Sequence, residues 1–99
     1  MELSKVVTQT LILSAIANQP LHLYGLIAKL SKDTGISFSL GSIQGTLIQL
    51  EKNHDVTSIK EGYKRVYRIT DTGRCLMRLR VSQLERISEA VSNEMGVKP

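Results

Sequence analysis

A single cysteine, Cys75, leaves the chain unable to close an internal disulfide, and two lone histidines, His22 and His54, do not complete a zinc-ligand set with it. No metal and no cofactor are expected. Long apolar runs are missing too. The richest stretches, residues 10–17 and 21–28, are broken by Thr, Ser, His, Tyr and Gly and fall well short of the roughly 20 residues a bilayer-spanning helix needs. The first residues lack the basic, apolar and small-residue order of a secretory signal, and the C-terminus carries no lipidation box, so a cytoplasmic location without a membrane partner is expected. Serines, histidines and acids are scattered without the spacing of a nucleophile and its base, and no enzyme is expected.

What is present fits one domain with a single core: 99 residues, 41% of them hydrophobic. A chain of this size buries roughly two-thirds of the surface its unfolded form exposes, which leaves a modest margin that a dimer interface would widen. Leu, Ile and Val are too frequent for an intrinsically disordered chain. Thirteen Lys plus Arg against nine Asp plus Glu give a net charge of +4, a balance that suits an acidic partner.

Hydrophobic spacing predicts a first helix over residues 4–18, with Val7, Leu11, Ile12, Ala15 and Ile16 on its apolar face and Ser4 as N-cap. After Pro20, Leu23, Leu26, Ile27 and Leu30 mark a second helix that Thr34-Gly35 stops. Ser39 is the natural cap for a third, over residues 40–53, in which Ile43, Leu47 and Leu50 face the core. Its opposite arc carries Gly41, Gln44, Gly45, Ile48, Gln49 and Lys52. Glycines inside a helix cost about 1 kcal/mol each relative to Ala, so that arc points to a close approach by something else. From Val56 the period changes to two β-branched runs, residues 56–60 and 65–69, around Glu61-Gly62-Tyr63-Lys64, which reads as a hairpin. Thr70 and Asp71 then open a last helix that runs to about residue 94, and residues 96–99 read as a frayed tail.

The fold class expected is mainly α with a small β-hairpin wing (α+β). It is a winged helix-turn-helix core over residues 1–70, with a C-terminal dimerisation helix and short tail over residues 71–99. In that last helix Met77, Leu84, Ile87 and Val91 take a/d-type positions, interrupted by Arg80, and Leu84, Ile87 and Val91 are assigned to a homodimer interface. Leu76 and Leu79 are expected on the domain core. Charge placement supports a nucleic-acid partner. Lys60, Lys64, Arg65, Arg68, Arg74, Arg78 and Arg80 crowd one stretch against Glu61 and Asp71 alone, a local excess larger than the chain's whole net charge. On double-stranded DNA, Lys60, Lys64 and Arg65 would sit on phosphates. Gln44 and Gln49 would pair with adenine edges, Gly45 would permit close approach, and Ile48 would touch a thymine methyl. Ser39, Ser42 and Lys52 complete the candidate helix surface.

These residues resemble the PadR family of transcriptional regulators. The resemblance rests on Ile12-Leu13-Ser14-Ala15-Ile16 with Pro20-Leu21-His22 and Tyr24, on Phe38-Ser39-Leu40-Gly41-Ser42-Ile43, and on Thr46-Leu47 with Gln49-Leu50-Glu51. Tyr67-Arg68-Ile69-Thr70 with Gly73-Arg74 completes the set, which covers roughly residues 8–80. It implies a homodimer that binds operator DNA through the third helix and wing, dimerises through the first and last helices, and in many members represses transcription until a small effector binds. This chain departs from the family pattern at Gln44-Gly45, Leu23 and Asp55-Val56, and it has no Trp for an aromatic effector pore. No particular effector is implied.

Other readings stand beside these. The uncharged third helix also suits a protein-interaction module, and a ligand-sensing dimer with weak DNA contact is a further alternative. His22 is read as a cap or packing residue, Cys75 as a small buried side chain, Tyr67 as packing inward, and Tyr63 as either exposed or stacked on a sugar.

Overall fold

Four residues, Ser4, His22, Ser39 and Thr70, each accept a hydrogen bond from the backbone N–H three positions later, at 3.2, 3.2, 3.2 and 2.9 Å, and a helix starts directly after each. In the computed structural model, which describes residues 3–96, these helices are α1 (Lys5–Asn18), α2 (Leu23–Thr34), α3 (Leu40–Lys52) and α4 (Asp71–Glu94). α2 stops at Gly35, whose φ of 71° is the left-handed conformation glycine adopts without strain and whose N–H bonds the Ser31 carbonyl at 2.9 Å. All four helices fall where their caps and stripes predict. Residues 97–99 of the tail lie outside the described residues.

The sheet has three strands rather than two. β1 (Leu21–His22), β2 (Val56–Glu61) and β3 (Lys64–Ile69) pair antiparallel in the order β1-β3-β2. β1 is only two residues long, below any length at which a period of two can be read, and it pairs Leu21 with Tyr67 and His22 with Val66. The hairpin is also tighter than its composition suggests. Glu61 and Lys64 are paired with each other, so the loop is Gly62-Tyr63 alone, with Gly62 at φ 64°, the positive angle that a two-residue turn asks of its first central residue.

The core forms around α1, which meets α2, α3, α4 and β3. Ile12, Leu13 and Ile16 are fully buried among Leu26, Leu30, Ile43, Leu47, Leu50 and Val56, each contributing about 1.5–3 kcal/mol relative to an exposed side chain. A helix enclosed on several sides must also bury polar residues. Thr8 and Thr10 do so by donating their hydroxyls to the Ser4 and Val6 carbonyls, while Gln9 accepts from Arg80 on α4. That bond accounts for an arginine where a heptad asks for an apolar residue.

The first half of α4 lies along α1, with Leu76 and Met77 on the core. Two expectations fail here for one geometric reason. Leu79 is 57% exposed and Cys75 is exposed, because at 100° per residue both fall off the stripe through Gly73, Met77, Arg80 and Leu84 that faces α1. The same stripe continues as Ile87, Val91 and Met95. There the helix has run past the end of α1, and these residues stand exposed.

The start of α4 is fixed by a joint with the end of α3. Thr70 donates its N–H to the Asp55 carbonyl at 3.1 Å and its hydroxyl to the His54 carbonyl at 2.7 Å, while the Asp55 N–H bonds the Leu50 carbonyl at 2.9 Å. Gly73 is buried against the same place. A Cβ there would overlap the Asp55 carbonyl oxygen, so only glycine lets the two segments approach so closely. Arg74 completes the joint by donating to the Ala17 carbonyl at 3.1 Å, near the C-terminal end of α1. Gly73→Ala is predicted to lower the stability of the folded chain by about 1–3 kcal/mol, because the added methyl forces the two segments apart. Urea unfolding measures it, and an unchanged midpoint would show that the joint can open without cost.

Candidate nucleic-acid interface

α3 is buried along Ile43, Leu47 and Leu50, and its other side is mostly exposed. Gly41, Ser42, Gln44, Gly45, Ile48 and Lys52 are exposed, and Gln49 is half-buried. A Cβ built on Gly41 or Gly45 would have no neighbour within 4 Å, so intramolecular packing does not require these glycines. The Ser39 oxygen accepts the Ser42 N–H at 3.2 Å, which leaves the Ser39 hydroxyl proton free to donate outward. The surface is therefore low and rich in amide and hydroxyl groups, with Lys52 as its charge.

The wing stands beside it. Directly paired residues share a face, so Lys60 and Arg65 lie on one face of the hairpin with Ser58 and Tyr67, whereas Lys64 pairs with Glu61 on the other. All three cations are exposed. The one salt bridge found among the described residues, Lys29 with Asp33, involves none of them. The rest of the basic run divides differently from its sequence appearance. Arg74 and Arg80 are internal ties to α1, and Arg78 lies exposed on α4. The positive field over the interface comes chiefly from the wing.

A polar chain that the sequence did not announce joins wing to α3. Ser58 donates its hydroxyl to Glu51 of α3 at 2.6 Å, and Arg65 donates to the Ser58 oxygen at 3.0 Å. Arg65 is thus held over the helix while four of its five N–H groups remain available. Tyr67 packs inward beside this chain, as expected from its alternation with arginines, and is 7% exposed. Burial pushes its phenol above the ordinary value of about 10, the Glu51 charge adds to that, and Arg65 opposes it. His22 has the capping role expected of it. Tyr63, at the turn, is fully exposed.

Known proteins share this fold. The family model of the transcriptional regulator PadR-like family matches residues 12–79, a span from the middle of α1 to the first half of α4. The chain belongs to that family. A PadR-like transcriptional regulator from Bacillus cereus is 25% identical, with a TM-score of 0.84 over 95% of this chain and 96% of that one. A transcriptional regulator from Clostridium thermocellum, at 21% identity, has the same fold, with a TM-score of 0.82 over 94% and 97% of the two chains. An uncharacterised 37.1 kDa protein of a Streptomyces fradiae transposon is 33% identical over 84 residues. The match takes in 84% of this chain but 24% of that relative, so the chain spans about a quarter of its length. The family is one of transcription regulators, which are generally not enzymes. Among the described residues no helix is long and apolar enough to cross a membrane, and no group of His, Cys, Asp and Glu is placed to hold a metal.

The buried phenol couples stability to pH. Because its folded-state pKa is raised, Tyr67 contributes stability that is fully present below about pH 10 and is lost as pH rises through the raised value. In an ultraviolet titration of the folded protein Tyr67 should ionise above the ordinary phenol value of about 10, and Glu51→Gln should bring its pKa down. A Tyr67 transition that Glu51→Gln leaves in place would show that the carboxylate does not act on the phenol.

Proposed function

We propose that this PadR-like chain is a homodimeric, sequence-specific regulator of transcription that binds double-stranded DNA, without catalysis, and acts as a repressor by occupying its operator. The observation that carries the reading is the open face of α3 next to the exposed wing cations, which form no salt bridge among the described residues. Gly41 and Gly45 leave room for a groove wall, Gln44 and Gln49 supply amides that match the two edge atoms of adenine, and Ser39, Ser42 and Lys52 line the approach. Lys60, Lys64 and Arg65 then fall on flanking phosphates. Winged-helix similarity to regulators of this family supports the same assignment.

The homodimer is supported by the α4 stripe. Leu84, Ile87 and Val91 continue the line that is covered by α1 earlier in the helix, and Ile87 and Val91 are 59% and 51% exposed. A second chain laid antiparallel or parallel on that line would cover it and set two α3 helices at a fixed separation. A second reading, a protein-interaction module, is favoured by Ile48, which is 58% exposed on a helix face whose one charge is Lys52.

One experiment separates them. Lys60→Gln with Lys64→Gln should weaken binding to any duplex and reduce the slope of log affinity against log salt by about one for each phosphate left without its cation. Ile87→Asp with Val91→Asp should yield a monomer by light scattering and weaken DNA binding further. Duplex affinity untouched by the lysine substitutions would remove the DNA reading and favour a protein partner.

A further inference from the structure

Where α1 stops, β3 ends and α4 begins, the chain leaves a cleft of about 160 Å³ with two arginines in its walls, Arg68 and Arg74. Neither is paired with a carboxylate among the described residues, and no Asp or Glu lines the cleft. Arg74 spends one N–H on the Ala17 carbonyl, at 3.1 Å. That bond fixes its guanidinium at the cleft wall and leaves four of its five N–H groups unspent. Arg68, exposed on β3 opposite Thr57, makes no side-chain hydrogen bond among the described residues, unlike Arg65, Arg74 and Arg80. Among those residues no buried side-chain nitrogen or oxygen lacks a partner, so the unspent donors of both arginines face open space, where a ligand can reach them.

The charge of the cleft follows from its elements. The C-terminal end of a 14-residue helix carries about half a negative elementary charge, while the two guanidinium groups bring two full positive ones. The excess is positive, and an anion offsets it. Ile16, Pro20 and Ile69 give the same cleft an apolar side. Inorganic phosphate would leave that side uncovered, whereas a carboxylate with a short hydrocarbon chain covers both. The volume lies below the roughly 300–1,000 Å³ of sites that hold drug-sized ligands, so the guest is small. Arg68 lies four residues along β3 from Lys64, about 13 Å at the rise of a strand, toward α1 and away from the wing turn.

We propose that this cleft binds a small aliphatic carboxylate, its two oxygens shared between Arg68 and Arg74 and its hydrocarbon chain on Ile16, Pro20 and Ile69. Such a guest ties the end of α1 to β3 and to the start of α4, beside the joint that Gly73 and Asp55 form. The proposal stands independently of DNA binding.

The probe is butyrate, titrated into the isotope-labelled full chain while backbone amide shifts are followed, with chloride at matched ionic strength, butyramide and inorganic phosphate as comparisons. Arg74 holds α1 to α4, so the variant is Arg68→Gln, at an exposed position, checked for an unchanged melt without ligand. Butyrate should give saturable shifts confined to residues 16–20 and 68–74 and raise the melting temperature, as a ligand of the folded state does, and chloride and butyramide should do neither. Arg68→Gln should weaken butyrate binding about tenfold, the size of one charge-assisted hydrogen bond. Saturation by phosphate but not by butyrate would overturn the carboxylate assignment. Shifts that never saturate, or that Arg68→Gln leaves unchanged, would overturn the site. If Arg68→Gln instead lowers the salt slope of duplex binding by about one, Arg68 belongs to the DNA backbone and the proposal falls. A wild-type chain that binds no duplex removes the DNA reading alone, since the butyrate titration needs no DNA.

Discussion

The close approach of Gly73 to the Asp55 backbone is the constraint on which the arrangement of functional parts depends. α3 ends, the wing begins and α4 begins within a few residues of that junction, and each is tied to it by its own hydrogen bond: Asp55 to Leu50, Thr70 to Asp55 and to His54. His54 takes a positive φ of 63° to make the turn. Side chains on α3 and the apolar line on α4 are therefore parts of one rigid frame. Any pairing of two chains through α4 fixes where their α3 helices stand, which is the geometric quantity a palindromic site selects.

Charge in this chain serves two ends that look alike in the sequence. Arg74 and Arg80 point inward and satisfy a helix end and a buried amide, while Lys60, Lys64 and Arg65 make no ion pair with a carboxylate among the described residues. Cations that already have internal partners give little to a polyanion. Arg65 is an intermediate case, since its one bond to Ser58 anchors it over α3 through Glu51 without consuming its donors. Wing and helix are thereby coupled through Glu51 rather than merely adjacent.

Much of the fold was legible in the sequence because caps and periodicity are local signals. Ser4, Ser39 and Thr70 stand at helix starts by a rule that needs no tertiary information, and Ile43, Leu47 and Leu50 declare a buried stripe by spacing alone. β1 was not legible, since two residues after Pro20 carry no period and their pairing with β3 joins positions more than forty residues apart. Cys75 and Leu79 were misplaced because apolar character was read without the phase of α4 relative to α1. The Glu51–Ser58–Arg65 chain and the cleft of Arg68 and Arg74 arise where separate elements meet, and no pattern along the chain marks them. The Ile69-Thr70-x-x-Gly73-Arg74 segment is instructive in the other direction. It was visible as a motif, and the joint supplies the physical reason for its Thr, its Gly and its Arg.

The proposed placement of duplex DNA on the exposed face of α3 and on the wing, with a second chain on the far half of α4, is tested most directly by one measurement. Backbone amide shifts of isotope-labelled protein are followed as a short duplex is added. The predicted result is movement concentrated in residues 41–52 and 58–67, with residues 84–95 unchanged. Shifts confined to α4, or none in α3 and the wing at low salt, would contradict it.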